Sequence, residues 1–151
     1  MQLIKDQNII ENNQQFITDD QTIPSSGDIT VSLTRWKQER DQLLKHFGKV
    51  GVRLAPADVT DDLAVDLDKI ALVEVDFPVY TDGRAFSHAR ILRNRHRYQG
   101  EIRAVGQFMV DQVFYLWRVG VNAFQLPNPQ QLPLALETLK DFSVNYQIST
   151  H

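Results

Sequence analysis

Apolar residues along this chain fall into two rhythms, short unbroken runs and longer stretches at helical spacing, and the two alternate. Val50-Gly51-Val52-Arg53-Leu54-Ala55 reads as a short buried strand closed by Pro56. Asp61 to Ile70 follows as a predicted helix, capped by Thr60 or Asp61, with Leu63, Leu67 and Ile70 on one face. Ala71 to Phe77 is a second strand and Phe86 to Arg97 a second helix. Glu101 to Val105 and Gln107 to Arg118 repeat the pair, and Val121 to Leu126 with Leu134 to Phe142, opened by Pro133, repeat it again. Upstream, Ser32 or Thr34 caps a helix carrying Leu33, Trp36, Arg40, Leu43, Leu44 and Phe47, which ends at Gly48. Residues 1–28 differ in character. They are polar and turn-rich, with Ile9-Ile10 and Phe16-Ile17 as the apolar groups of a short hairpin, an arm or an edge strand.

Strands alternating with helices across short connections imply a parallel sheet with right-handed crossovers. The expectation is an α/β fold of four βα units over residues 29–151, one domain, preceded by the polar segment 1–28. Two architectures fit, a half-TIM-barrel-like sheet and an open flavodoxin-like sheet. Arg53, Glu74, Arg103 and Gln125 stand at similar depth in the four strands, and side chains on one strand alternate faces. A sheet covered by helices on both sides carries nearly continuous apolar strands. The polar positions therefore favour the curved half-barrel, its inner face turned to solvent, a ligand or a partner subunit. An ion network among Arg53, Glu74 and Arg103 explains the same residues.

Composition narrows the chemistry. The chain has 151 residues and no cysteine, which excludes disulfides, thiol catalysis and thiolate-held zinc or iron–sulfur clusters. Its four histidines include no His-x-x-x-His pair, so no metal site is expected. A net charge of -3 gives no general pull toward nucleic acid or anionic membranes, and neither is an expected partner. No apolar run reaches membrane-spanning length, and Met1 to Glu11 lacks the pattern of a signal peptide, so a cytoplasmic protein is expected. Phosphate-cradling glycine loops, nucleophile elbows and zinc-protease helices are missing, and no flavin, nicotinamide or other cofactor can be assigned.

The densest charge lies between Asp82 and Arg103, with six arginines from Arg84 to Arg103 against one acid, Glu101. The turn Asp82-Gly83 leaves the predicted second strand at its C-terminal end, where α/β sheets and barrels usually hold ligands. Gly83 is free to take positive φ, and Thr81 or Asp82 is placed to cap the next helix. Asp82, Gly83, Arg84 and Ser87, with Arg53, Glu74 and Arg103, are therefore the candidate ligand-binding residues for a small anion or phosphorylated ligand. On the helix, Ala85, Ala89, Leu92 and His96 form the face toward the sheet, while His88 falls on the solvent side. Arg90 and Arg93 are candidate interaction residues, as are Asp111 and Gln112 at the start of the next helix. Acidic residues from Asp58 to Asp76 offer the arginines an alternative as simple surface pairing. An uncovered inner face would also suit a homodimer.

The stretch from Phe77 through the Asp82-Gly83-Arg84 turn to Arg93, with Arg103-Ala104-Val105-Gly106, Asp111-Gln112 and Arg118-Val119-Gly120-Val121, resembles a bacterial family, domain of unknown function 934. The likeness covers about residues 30–126. Family members resemble companions of assimilatory sulfite reductase and are labelled oxidoreductases. The resemblance implies a role in sulfur assimilation, with sulfite reductase as partner, and names no reaction. Ala85, Gln107, Val119 and Asn122 depart from the glycine, aspartate, cysteine and aspartate usual in the family. A mechanism needing a thiol at position 119 or an acid at position 107 is therefore not carried over. Without cysteine the chain is not itself the reductase, which leaves an accessory subunit, a binding protein or an enzyme of separate chemistry.

Overall fold

The computed structural model describes residues 1–143, so His151 and the end of the expected 29–151 domain lie outside the described residues. Among the described residues eight strands form one sheet in the order β2-β1-β8-β7-β6-β5-β4-β3. They are β1 Gln2–Lys5, β2 Asn8–Glu11, β3 Gln15–Phe16, β4 Ile29–Ser32, β5 Val50–Leu54, β6 Leu72–Phe77, β7 Glu101–Gly106 and β8 Ala123–Phe124. From β3 through β8 all neighbours pair in parallel, and β1 joins β8 antiparallel before turning back into β2. The α/β class and the largely parallel sheet hold. The count of four units does not describe it, because β4 and α1 (Leu33–Gln38) precede the predicted repeats as a further strand and helix.

The polar segment 1–28 supplies both edges of this sheet. Ile9-Ile10 lie on β2 and Phe16 on β3, at opposite ends of the strand order. Only Asn12, Asn13 and Gln14 join those edges. Four Cα steps reach about 14 Å, whereas the edges of a flat eight-stranded sheet lie about 34 Å apart. The sheet must therefore curl, which decides between the two architectures in favour of the half-barrel. Asn12–Gln14 cross the open side, so the inner face is covered by the chain itself.

Helices cover the outer face. Val52, Leu54, Val73, Val75, Phe77 and Ile102 point outward into one core with Trp36, Leu43, Ala85, Ala89, Leu92 and Leu116. Ser32 opens α1 as expected, its hydroxyl accepting from the Arg35 N–H at 3.1 Å. The predicted helix to Gly48 is broken at Glu39 into α1 and α2 (Arg40–Leu44), and Phe47 is exposed rather than packed. The predicted helix Asp61–Ile70 is a 3₁₀ segment, Thr60–Asp66. It is tied at its end by the Trp36 indole, which donates to Asp66 at 2.9 Å, and by the Arg40 guanidinium.

The arginine helix begins as α3, Arg84–Arg90, and widens into a π-helical turn, Ile91–Arg95, ending at Arg97 with φ 56°. His88 is buried, not solvent-facing. The 3₁₀ segment covers that flank of α3, so the His88 Nδ1 meets the Thr60 hydroxyl and its Nε2 the Ala55 carbonyl at 2.9 Å. The carbonyl can only accept, so Nε2 carries the proton. The third predicted helix is a 3₁₀ turn, Val110–Gln112, leading into α4, Val113–Arg118, and α5, Leu132–Ser143, closes the layer.

Candidate functional site

Strand pairing places Arg53, Glu74 and Arg103 side by side on the inner face, in register across β5, β6 and β7. Gln125, just past β8, belongs to the same inner surface through Asn12, whose amide donates to the Gln125 oxygen at 3.3 Å. The row does not converge on an open arginine. Arg53 Nε donates to Glu74 at 2.7 Å, and its guanidinium lies 3.7 Å from the centre of the Phe16 ring. Arg103 Nε donates to Glu101 at 2.7 Å and Nη1 to Asn12 at 2.9 Å. Lys5 adds a second cation to Glu101 at 3.3 Å. Side-chain exposures of 3% for Glu74, 5% for Arg103 and 8% for Glu101 mark these as buried charges. A buried charge persists only when paired, because losing one partner leaves the other desolvated and uncompensated.

Asp76 follows Glu74 on the same face at the C-terminal end of β6. It is half-buried and has no ion pair among the described residues. Burial pushes its carboxyl above the usual range, and the Arg53 charge only partly offsets this.

The Asp82-Gly83-Arg84 turn is a separate unit. Asp82 accepts from the Arg84 backbone N–H at 3.1 Å, Nε at 3.0 Å and Nη2 at 2.7 Å. The guanidinium fork and the backbone donor hold the Asp82 carboxyl well below the usual range, at about 2. Asp82 thus does accept a backbone N–H at the helix start. Gly83 has φ −74°, an ordinary helical value, so positive φ is not its reason to be glycine. Ser87 is exposed one turn on and shares an open cleft of about 500 Å³ with Arg90, Ile91, Asn94 and Arg95.

The remaining arginines divide. Arg95 pairs with Asp61 at 2.8 Å, and His96 lies 2.7 Å from the same carboxylate, the surface pairing that the acidic stretch suggested. Arg93 is spent inside the protein. Its Nε and Nη2 donate to the Gly120 carbonyl at 2.9 and 2.7 Å, and Nη1 to the Tyr98 carbonyl at 2.7 Å. Arg90 is exposed, with no ion pair among the described residues.

Gln112 stitches two loops at the C-terminal strand ends. Its side chain donates to the Tyr80 carbonyl at 2.9 Å and accepts from the Met109 N–H at 2.8 Å. Around this stitch Val79 and Tyr80 are 53% exposed, Met109 46% and Leu134 55%. A cavity of about 470 Å³ opens at Met109 and Leu134, lined also by Asp111 and Thr138 among others. The predicted residues therefore lie in five places: the inner face, the self-paired turn, the Ser87–Arg90 cleft, the Asp111–Gln112 rim and, for Arg93, the interior contact with Gly120. Sequence reasoning missed Glu101, though its i, i+2 spacing to Arg103 puts the two on one strand face. It also missed Asn12, whose role depends on sheet curl and leaves no local signal.

Among the described residues no helix is long and apolar enough to cross a membrane, and no group of three or more His, Asp or Glu side chains is placed to hold a metal ion. A family model described as a bacterial protein of unknown function (DUF934) matches residues 51–151. No curated protein matches the chain.

Proposed function

For this chain, which belongs to the DUF934 family of bacterial proteins of unknown function, we propose the role of an accessory protein of assimilatory sulfite reduction that docks on the reductase through the rim at the C-terminal strand ends. The pathway rests on the likeness of the Asp82-Gly83-Arg84 and Arg103-Ala104-Val105-Gly106 stretches to companions of sulfite reductase. The docking surface rests on one observation: Met109 and Leu134 keep large apolar area exposed at one cavity, and the exposed Val79-Tyr80 loop is joined to Met109 through Gln112. Contiguous exposed apolar surface edged by polar groups marks interaction sites, and Tyr and Met are enriched in interface cores. Asp111 and the Asp82–Arg84 pair supply the polar edge. Arg90, on the neighbouring helix, adds a charge that steers approach.

Sedimentation of the purified protein with purified sulfite reductase tests this. A complex is expected at low ionic strength, where charge steering is strongest. Exchanging Tyr80 and Met109 together for serine is expected to weaken it by about tenfold or more, since buried aromatic anchors dominate such interfaces. Arg90→Glu is expected to slow association with little effect on dissociation. Lack of any complex at low salt removes the proposal.

A second reading, an anion held by the Asp82-Gly83-Arg84 turn, makes an opposite demand. The anion must displace Asp82 from Arg84, so Asp82→Asn should strengthen sulfate or phosphate binding if the turn is such a site. Thermal unfolding of that variant across anion concentrations decides it, and a flat melting temperature rules the turn out.

A further inference from the structure

At the opposite, N-terminal mouth of the curled sheet lies a cavity of about 360 Å³ that the docking proposal does not use. Its wall carries three cations, Lys5, Lys49 and Arg103, and three carboxylates, Glu11, Asp28 and Glu101. Leu72, Ala71 and Ile10 add apolar surface. Two of the charges are more than nine-tenths buried, Arg103 at 5% and Glu101 at 8% side-chain exposure, and they are fixed to one another at 2.7 Å. The other Glu101 oxygen faces the half-exposed Lys5 ammonium at 3.3 Å, which a ligand ammonium would displace toward solvent. Arg103 spends Nε on Glu101 and Nη1 on Asn12, which leaves Nη2 without a partner among the described residues. The Lys49 ammonium is likewise unpaired among them, while Asp28 uses one oxygen on the Lys49 backbone N–H at 2.9 Å.

The charge balance selects the ligand class. A simple anion meets three carboxylates in this wall, and a simple cation meets three basic groups. A molecule carrying both signs a few ångströms apart satisfies each. We infer that the N-terminal mouth binds a small zwitterion of the α-amino-acid type, its carboxylate on Arg103 and Lys49 and its ammonium on Glu101 and Asp28. A short side chain would rest on Leu72 and Ile10. The volume falls within the range of small-molecule pockets, roughly 300–1,000 Å³. The site lies at the other end of the strands from the docking rim and stands independently of it.

Calorimetry and thermal unfolding with glycine, alanine, serine and valine, each beside its N-acetyl and methyl-ester derivative, test the inference. At least one free amino acid is expected to bind saturably and raise the melting temperature. Its N-acetyl and ester forms, each lacking one charge, are expected to bind at least tenfold more weakly. Glu101→Gln keeps a hydrogen-bond acceptor for Arg103 and removes the charge, and it should weaken the zwitterion at least tenfold. Lys49→Gln alters an exposed side chain, so it carries the test even if Glu101→Gln does not fold, with the same loss expected. Equal binding of the ester or N-acetyl form, equal binding by acetate, affinity unchanged in Lys49→Gln, or no binding of any free amino acid overturns the inference.

Discussion

Two aspartates show how single residues set opposite responses to pH. Asp82, clasped by Arg84, has its carboxyl held down to about 2. A depressed native value means stability present above the unfolded carboxylate range and lost as the pH falls toward 2. Carboxyl NMR should therefore find Asp82 titrating near 2, and in Arg84→Met it should return toward the ordinary carboxylate range. A value unmoved by that substitution would mean the ion pair is not the cause. Asp76 runs the other way. Burial raises its carboxyl, so the folded state holds the proton more tightly than the unfolded chain does, and stability falls as the pH rises through the folded value. Asp76→Asn is expected to raise the melting temperature at pH 7, and the gain should vanish under acid conditions that protonate Asp76. Half-exposure keeps that gain modest, because solvent screens the charge. Asp82 was legible in the sequence, since Asp-Gly before a helix announces a turn and cap. Asp76 was not, because nothing local distinguishes a carboxylate left without a cation from one that has found it.

Elements were legible where their own residues decided them and obscure where distant residues did. Ala85, Ala89 and Leu92 are spaced for a helix, and all three are fully buried, the two alanines on α3 and Leu92 just beyond it. The π-helical turn that follows is set from 27 residues away, where the Gly120 carbonyl receives Arg93. Four short residues, Ile29 to Ser32, form a strand whose place is given by pairing with β5 and β3, and so the sequence pattern passed over it. The Arg93–Gly120 contact ties the arginine helix to the loop before β8 and explains two residues of the family-like stretches as packing. Gly120 has φ +112°, and a Cβ there would lie 2.2 Å from Arg93 Cγ. Gly120→Ala is expected to cost about 3 kcal/mol or more, combining backbone strain with disturbed charge-assisted hydrogen bonds. Denaturant unfolding of Gly120→Ala, Arg93→Ala and the double variant checks it. The double variant should lose less than the two single losses together, since the clash and the hydrogen bonds share one guanidinium. Strict additivity would show that the two residues are not coupled.

At the scale of the whole molecule, the inner face explains why a sequence can announce a polar row and still mislead about its purpose. Arg53, Glu74 and Arg103 were visible as polar positions in apolar strands, and they do share a face. What covers them was invisible, because it comes from the segment least like a folded domain. Asn12 accepts from Arg103 Nη1 and from the Gln14 N–H, both at 2.9 Å, and donates to Gln125. One side chain thereby holds the crossing segment against β7 and β8 while the chain passes from one sheet edge to the other. Asn13, its neighbour, is exposed and makes no such bond among the described residues. The pair makes a controlled comparison. Asn12→Ala leaves a buried guanidinium short of an acceptor, and the expected loss is about 2–3 kcal/mol, whereas Asn13→Ala should stay within about 0.5 kcal/mol of the parent. Amide exchange adds what global stability cannot. If Asn12 anchors the crossing, its loss should speed exchange at Gln15 and Ile17, which pair with β4 and its flank, and at Asn12 itself, whose N–H meets the Met1 carbonyl. Exchange confined to one edge would mean that the two edges are held independently and that the curl does not depend on this residue.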